Sequence, residues 1–214
     1  MNNENLKLYR KARSLHGNVL EVLYNYYECH ENFFIEQVRD FFANRKKSNP
    51  SMINVEMLKI EGRNYNDLVA CYIYPSEIMA KPIAEVAKDK NLIKNVDNKE
   101  MLESVLNANF GIYTPIEYNY ENKTILLLNI LNEEKHLIID EKLAESIYKV
   151  KDLRFMLITR ILNYKNINFM SNSIILDFNK ECIDFVKKVK SHNLTSIDIY
   201  YFGLQYTIKH THIN

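Results

Sequence analysis

Apolar positions change their spacing several times along the chain, and each change marks an expected element. From Tyr113 to Tyr120 polar and apolar side chains alternate, with Thr114, Ile116, Tyr118 and Tyr120 on one side and Glu117 and Asn119 on the other. A period of two predicts a half-buried strand. Asn122-Lys123 then reads as a tight turn, because Asn tolerates the positive φ that two-residue hairpins require. The run Thr124–Leu131 is nearly all apolar and bounded by turns, which predicts an inner strand covered on both faces. After the polar stretch 132–135, a third strand is expected over 136–139. Residues 113–139 therefore predict an antiparallel meander. Asn129 lies inside the apolar run. It is read as an amide bonded to neighbouring backbone, with a ligand-facing role as the sharper alternative.

Elsewhere the apolar spacing is three to four residues. Residues 3–46 are helical in pattern, and Gly17 is expected to end or bend the first segment. Val19, Leu20, Leu23, Tyr26 and Tyr27 form one stripe. Phe33, Phe34, Val38, Phe41 and Phe42 form another. Such stripes are packing faces, with a base-stacking platform as the alternative. They are expected to cover the meander or to drive self-association. Pro50 biases Asn49 away from helix, so a helical region over 1–48 and an α+β domain over 49–214 are expected, unless 1–214 is continuous. Strands are expected over 52–60 and 67–74. A helix over 77–90 must be kinked or restarted by Pro82, and a short one follows over 99–109. Asp140 caps an expected long helix over 141–164. Strand 173–178, helix 180–190 and strand 196–208 predict a parallel β-α-β with a right-handed crossover. The fold class expected is α+β, with N-terminal helices, an antiparallel meander and a C-terminal β-α-β unit in a mixed sheet.

Composition narrows the function. The chain has 214 residues, 47% hydrophobic and 26% charged, which is globular rather than disordered. It holds four Gly and four Pro, so long regular elements are expected and Gly-rich phosphate loops are excluded. Cys29, Cys71 and Cys182 are too scattered for a disulfide framework. There is no apolar leader and no apolar run of about 18 residues, so a cytoplasmic location and no membrane contact are expected. The net charge of +1 hides an asymmetry. Residues 1–50 carry eight Lys/Arg against six Asp/Glu, 51–140 nine against fourteen, and 141–214 eleven against seven. Richness in Lys, Asn, Ile and Tyr is the bias of an AT-rich genome. Small proteins of this composition are frequent in phages and mobile elements, and by that association a role in host–phage conflict is expected.

Candidate chemistry is sparse. Arg10 and His16 have the spacing of the Arg–His motif of HEPN-type helical ribonucleases, in which the His would act as base and the Arg would stabilise phosphate charge. A strand-rich remainder fits that family poorly. Asp140-Glu-Lys142 follows a strand as half of a metal-dependent nuclease motif would, but Asp140 is explained as a helix cap. His210 and His212, and Cys29-His30, are pairs without the further ligands that zinc needs. Cys182 falls on a helix packing face, where a thiol acts as a small apolar residue. Arg45, Lys46 and Lys47, and Lys187, Lys188 and Lys190, are two basic clusters that could contact phosphates or only favour helix ends. No cofactor is expected. Fifteen Tyr and ten Phe supply material for an aromatic-anchored interface. The leading expectation is a cytoplasmic interaction protein, not an enzyme, that binds another protein. The alternative is a nuclease or nucleic-acid-binding protein.

Overall fold

The computed structural model describes residues 3–25, 82–192 and 194–211. The protein is of the α+β class, with an N-terminal helix and a strand meander. The described residues fall into two compact units, 3–12 with 108–211, and 13–25 with 82–107. The expected boundary near 48, the stripe from Phe33 to Phe42 and strands 52–60 and 67–74 lie outside the described residues.

Helix α1 (Asn3–Asn25) continues through Gly17. One exposed glycine costs a helix only about 1 kcal/mol, and Ala12, Leu15, Val19 and Leu23 hold the apolar face on either side of it. In the second unit, α2 (Ile83–Asp89) starts immediately after Pro82, while residues 77–81 of the helix expected over 77–90 lie outside the described residues. Proline suits a helix start because its missing N–H would be unsatisfied there anyway. Helix α3 (Val96–Asn107) is headed by Asn95, whose Oδ1 accepts from the Asn98 N–H at 3.2 Å. Ile83, Ala84 and Ala87 of α2 and Met101, Leu102 and Val105 of α3 are buried.

The first unit is built on five antiparallel strands: β1 (Phe110–Asn119), β2 (Thr124–Asn129), β3 (Lys135–Ile139), β4 (Phe155–Tyr164) and β5 (Ile167–Asp177). Their order is β3-β2-β1-β4-β5. The meander pairs as expected, Tyr113 opposite Asn129 and Ile125 opposite Ile138. A bulge between Pro115 and Glu117 shifts the register. It puts Tyr118 on the inner face and leaves Thr114, Ile116 and Glu117 on the outer one, so the expected simple alternation stops at Pro115. Proline forces this, since it cannot donate to a ladder and is tolerated at bulges. The positive φ of the first hairpin falls on Lys123 (54°) rather than Asn122. Asn119 Oδ1 accepts from the Asn122 N–H at 2.9 Å and sets that turn.

Two expectations are corrected. Residues 141–164 are not one helix: α4 (Glu141–Val150) ends at Lys151, which is left-handed with φ 54°, and β4 follows. The run Phe155–Leu162 carries the β-branched Ile158, Thr159 and Ile161, which suit a pleated strand, and it forms a hairpin with β5 in which most of its side chains are buried. Residues 196–208 are not a strand, and among the described residues there is no β-α-β unit and no parallel strand pair. Helix α5 (Lys180–His192) leads to helix α6 (Ser196–Thr211). Thr195 starts α6 with a reciprocal cap, its hydroxyl donating to Asp198 Oδ2 at 2.6 Å while the Asp198 N–H reaches back to Thr195 Oγ1. Ile199, Tyr200, Gly203, Leu204 and Tyr206 are buried at helical spacing.

The sheet curls until its edge strands meet, Asn168 Nδ2 of β5 donating to the Leu137 carbonyl of β3 at 3.4 Å. Its inner face holds Tyr113, Ile125, Leu127, Ile138, Leu157 and Met170, and α4 seals them with Ala144 and Ile147. On the outer side α6 covers β1, β4 and β5. Gly203 allows the close approach: a Cβ there would stand 2.9 Å from both Ile158 Cδ1 and Ile174 Cδ1. Tyr200 packs on Phe110 at 4.5 Å between centroids, and Phe202 stacks on Phe185 at 3.6 Å. Near the head of α1, Tyr9 meets Phe169 edge-on.

Two stability changes follow. Gly17→Ala is expected to stabilise the protein by about 0.5–1 kcal/mol, since a Cβ there meets nothing within 4 Å. Asp140→Ala is expected to cost about 1 kcal/mol, because the Asp140 carboxylate accepts the Leu143 N–H at 2.8 Å. Urea unfolding midpoints check both, with Asp140→Asn as a near-neutral control.

Candidate functional site

Among the described residues of the first unit, Arg10 and the lysines Lys187, Lys188 and Lys190 are joined to one another by no hydrogen bond or ion pair. Arg10 is exposed and donates to Glu141 at 2.7 Å, and the Glu141 carboxylate holds its guanidinium pKa above the ordinary value. His16 is 4% exposed. Lys187, Lys188 and Lys190 lie exposed on α5, with Lys187 3.6 Å from Asp184. Arg45, Lys46 and Lys47, with Cys29, His30, Cys71 and His212, lie outside the described residues. Asp140 caps α4. Among the described residues no group of three His, Cys, Asp or Glu could hold a metal, and no helix is long and apolar enough to cross a membrane.

Three clusters emerge that sequence reasoning did not assemble. The first is the open end of the curled sheet. Tyr113 and Asn129 are register partners, and the Asn129 N–H donates to the Glu134 carbonyl at 2.8 Å, so the three form a row across β1, β2 and the turn before β3. His136 meets the Tyr113 ring edge-on at 5.7 Å, and its Nε2 stands 3.8 Å from Glu134 Oε2. Asn129 Oδ1 accepts the Leu131 N–H at 3.0 Å, so the backbone-bonded reading of that amide holds. Burial, aided by the Glu134 charge, pushes the Tyr113 phenol up to about 12.

The second cluster docks α6. Tyr206 Oη donates to Asp177 Oδ2 at 3.0 Å and accepts from Asn179 Nδ2 at 2.8 Å. Asn179 Oδ1 in turn accepts the Cys182 N–H at 3.0 Å and caps α5. His210 packs on the Tyr206 ring at 4.2 Å and reaches Glu181 at 3.7 Å. Burial is the main cause that pushes the Tyr206 phenol up to about 12 and the Cys182 thiol up to about 11. Raising the thiol in this way lowers its thiolate fraction at neutral pH.

The third is an exposed surface. Glu117, Leu126 and Leu137 are register neighbours across the outer face of β1, β2 and β3, as are Thr114, Leu128 and Lys135. Leu137 is 58% and Ile116 39% exposed, while Leu126 and Leu128 are half-buried. Beside the β1–β2 turn, Tyr120 stacks on Tyr148 at 4.1 Å, with Lys123 Nζ 3.5 Å from the Tyr120 ring centre. In the second unit, a hollow of about 190 Å³ lies beside the Lys88–Glu103 ion pair, and it is too small and shallow for a substrate of ordinary size.

The first unit is thus a partly open, five-stranded antiparallel barrel with helices packed around it. Barrels of this kind include the OB-fold, and the architecture alone carries no function. Residues 4–196 match the model of a family of unknown function (DUF7986), and the chain belongs to that family. No curated protein and no solved structure matches the chain significantly.

The raised phenols and thiol fix the sign of an alkaline response. Above pH 10 an unfolded tyrosine releases a proton that folded Tyr113 and Tyr206 keep until about 12. The unfolded state then binds fewer protons, so stability present below pH 10 is lost as pH rises toward 12. Cys182 adds the same slope between its ordinary 9.0 and about 11. Urea midpoints are expected to fall over this range, and less steeply in Tyr206→Phe. At neutral pH that variant is expected to lose about 1 kcal/mol with its two hydrogen bonds.

Proposed function

We propose that the protein is a cytoplasmic binding module whose partner is another protein, engaged through the outer face of β1, β2 and β3. The observation that carries this reading is the group of aliphatic side chains on that face, Ile116, Leu126, Leu128 and Leu137, set among Thr114, Glu117 and Lys135. Exposed apolar side chains grouped on one surface favour a partner that buries them. The same face supports a nucleic-acid partner poorly, because stacking platforms need aromatic rings where this one has aliphatic chains. The AT-rich composition points to a host or phage protein as the partner to seek first.

A nucleic-acid reading is kept for one observation, the exposed Lys187, Lys188 and Lys190 on a single helix. A photoreactive residue in place of Leu137 tests the first reading in intact cells. It is expected to give a discrete protein adduct that Ile116→Glu abolishes. Adducts to nucleic acid, or no adduct, would refute it. Changing Lys187, Lys188 and Lys190 together to Gln tests the second. Protein capture is expected to persist. If the slope of log affinity for an oligonucleotide against log salt instead falls by roughly 0.7–0.9 per lysine, the second reading wins.

A further inference from the structure

The mouth of the barrel offers hydrogen bonds that the fold does not use. Tyr113 is 5% exposed, yet its hydroxyl makes no hydrogen bond among the described residues. The ring is withdrawn, but the hydroxyl oxygen is not among the buried polar atoms that lack a partner, so it is open at the surface. Gly111 makes its position possible: a Cβ there would stand 2.8 Å from the Tyr113 hydroxyl oxygen. Beside it in the same row Asn129 commits its carbonyl to the Leu131 N–H, and its Nδ2 donates to nothing among the described residues. Glu134 closes the row. Its Oε2 accepts from Asn132 Nδ2 at 2.8 Å and still faces the His136 ring. The interior below is filled by Leu127, Leu157 and Met170, so a guest can sit only at the rim.

Two donors, the Tyr113 hydroxyl and Asn129 Nδ2, therefore stand next to an acceptor side, Glu134 with His136. A guest that matches must accept on one edge and donate on the next. An anion fails on the second count and is repelled by Glu134. We propose that this mouth binds the amide edge, a C=O beside an N–H, of a small molecule. Its carbonyl takes the hydrogen bonds of Tyr113 and Asn129, and its N–H faces Glu134 and His136. Barrel mouths with a few convergent polar groups are common ligand sites, and with only a few rim contacts the affinity is of millimolar order. The site is separate from the apolar outer face and does not depend on it.

Ring amides and open-chain amides share this edge, and uridine and N-acetylglycinamide represent them. Each is titrated into the full chain while the His136 ring and Asn129 side-chain NMR signals are followed. Saturable shifts are expected with at least one probe, and which probe succeeds names the source of the amide. Tyr113→Phe is expected to weaken that binding about tenfold with no change in the unfolding midpoint, because its hydroxyl holds nothing in the protein. Tyr148→Phe is expected to bind as the unmodified protein does. No saturable shift with either probe would overturn the proposal. So would equal binding by Tyr113→Phe, or a lowered unfolding midpoint in that variant, which would reveal a partner within the fold.

Discussion

A curled sheet of five strands has an inner face that it cannot bury alone, and the first unit depends on α4 to seal it. Ile125, Leu127, Ile138 and Leu157 are fully withdrawn from solvent because Ala144 and Ile147 come down on them from one end. Both ends of α4 are fixed. Asp140 takes the Leu143 N–H at the start, and the left-handed Lys151 returns its N–H to the Ile147 carbonyl at 2.6 Å. A lysine in that conformation is strained relative to glycine, which is tolerable because stopping the helix there lets β4 begin at Phe155. Truncating a buried isoleucine costs about 2–5 kcal/mol, a large part of the 5–15 kcal/mol that domains typically have. Ile147 is therefore a more sensitive position than any of the surface ion pairs, which contribute at most about 1 kcal/mol.

The sequence was most legible where one local rule decided the structure. The meander could be read because short polar turns separate runs of strand length, and Asp140 could be read because its chemistry at a helix head is specific. Reading failed where two periods fit the same residues. From Ser196 to Tyr206 the aromatic and branched side chains satisfy a period of two as well as a helical stripe. The deciding signal was Thr195 with Asp198 three residues on, a capping pair that marks a helix start. From Glu141 to Tyr164 an apolar residue occurs often enough to sustain a helical pattern throughout. Nothing local marks Lys151 as the stop, since the expected glycine is missing and the strand is decided by pairing with β5. The bulge at Pro115 had a sequence signal, a proline in the middle of an alternating run, and that signal implies the face change that alternation alone conceals.

The clusters were less legible than the fold because long-range pairing assembles them. Tyr113, Asn129 and Glu134 become neighbours only through strand register, and Asp177 meets Tyr206 only because α6 folds back over the sheet. Asn129 stood out in sequence as a polar residue in an apolar run, but its companions did not. Arg160 was invisible for a related reason. It is fully buried on β4, with Nε donating to the Ala108 carbonyl at 3.2 Å and its guanidinium 5.8 Å from the Phe110 ring centre. An arginine in a run expected to be helical reads as a solvent-facing position until its strand pairing with Phe110 is known.

The distribution of cover over the sheet explains why the two proposed surfaces fall where they do. Helix α6 lies over β1, β4 and β5, where Gly203 lets it approach closely and Tyr206 ties it to Asp177. Those outer side chains, Ile112, Ile158, Ile174 and Leu176, are buried, whereas Leu137 at the other end of the sheet remains exposed. Toward β3 the outer face mixes aliphatic side chains with Thr114, Glu117 and Lys135, and its aliphatic members are less buried than those under α6. Aliphatic side chains left exposed there give no benefit to the isolated fold. That asymmetry is what motivates the proposed partner surface on the outer face, while the polar, inward groups of the mouth motivate the proposal of a small guest.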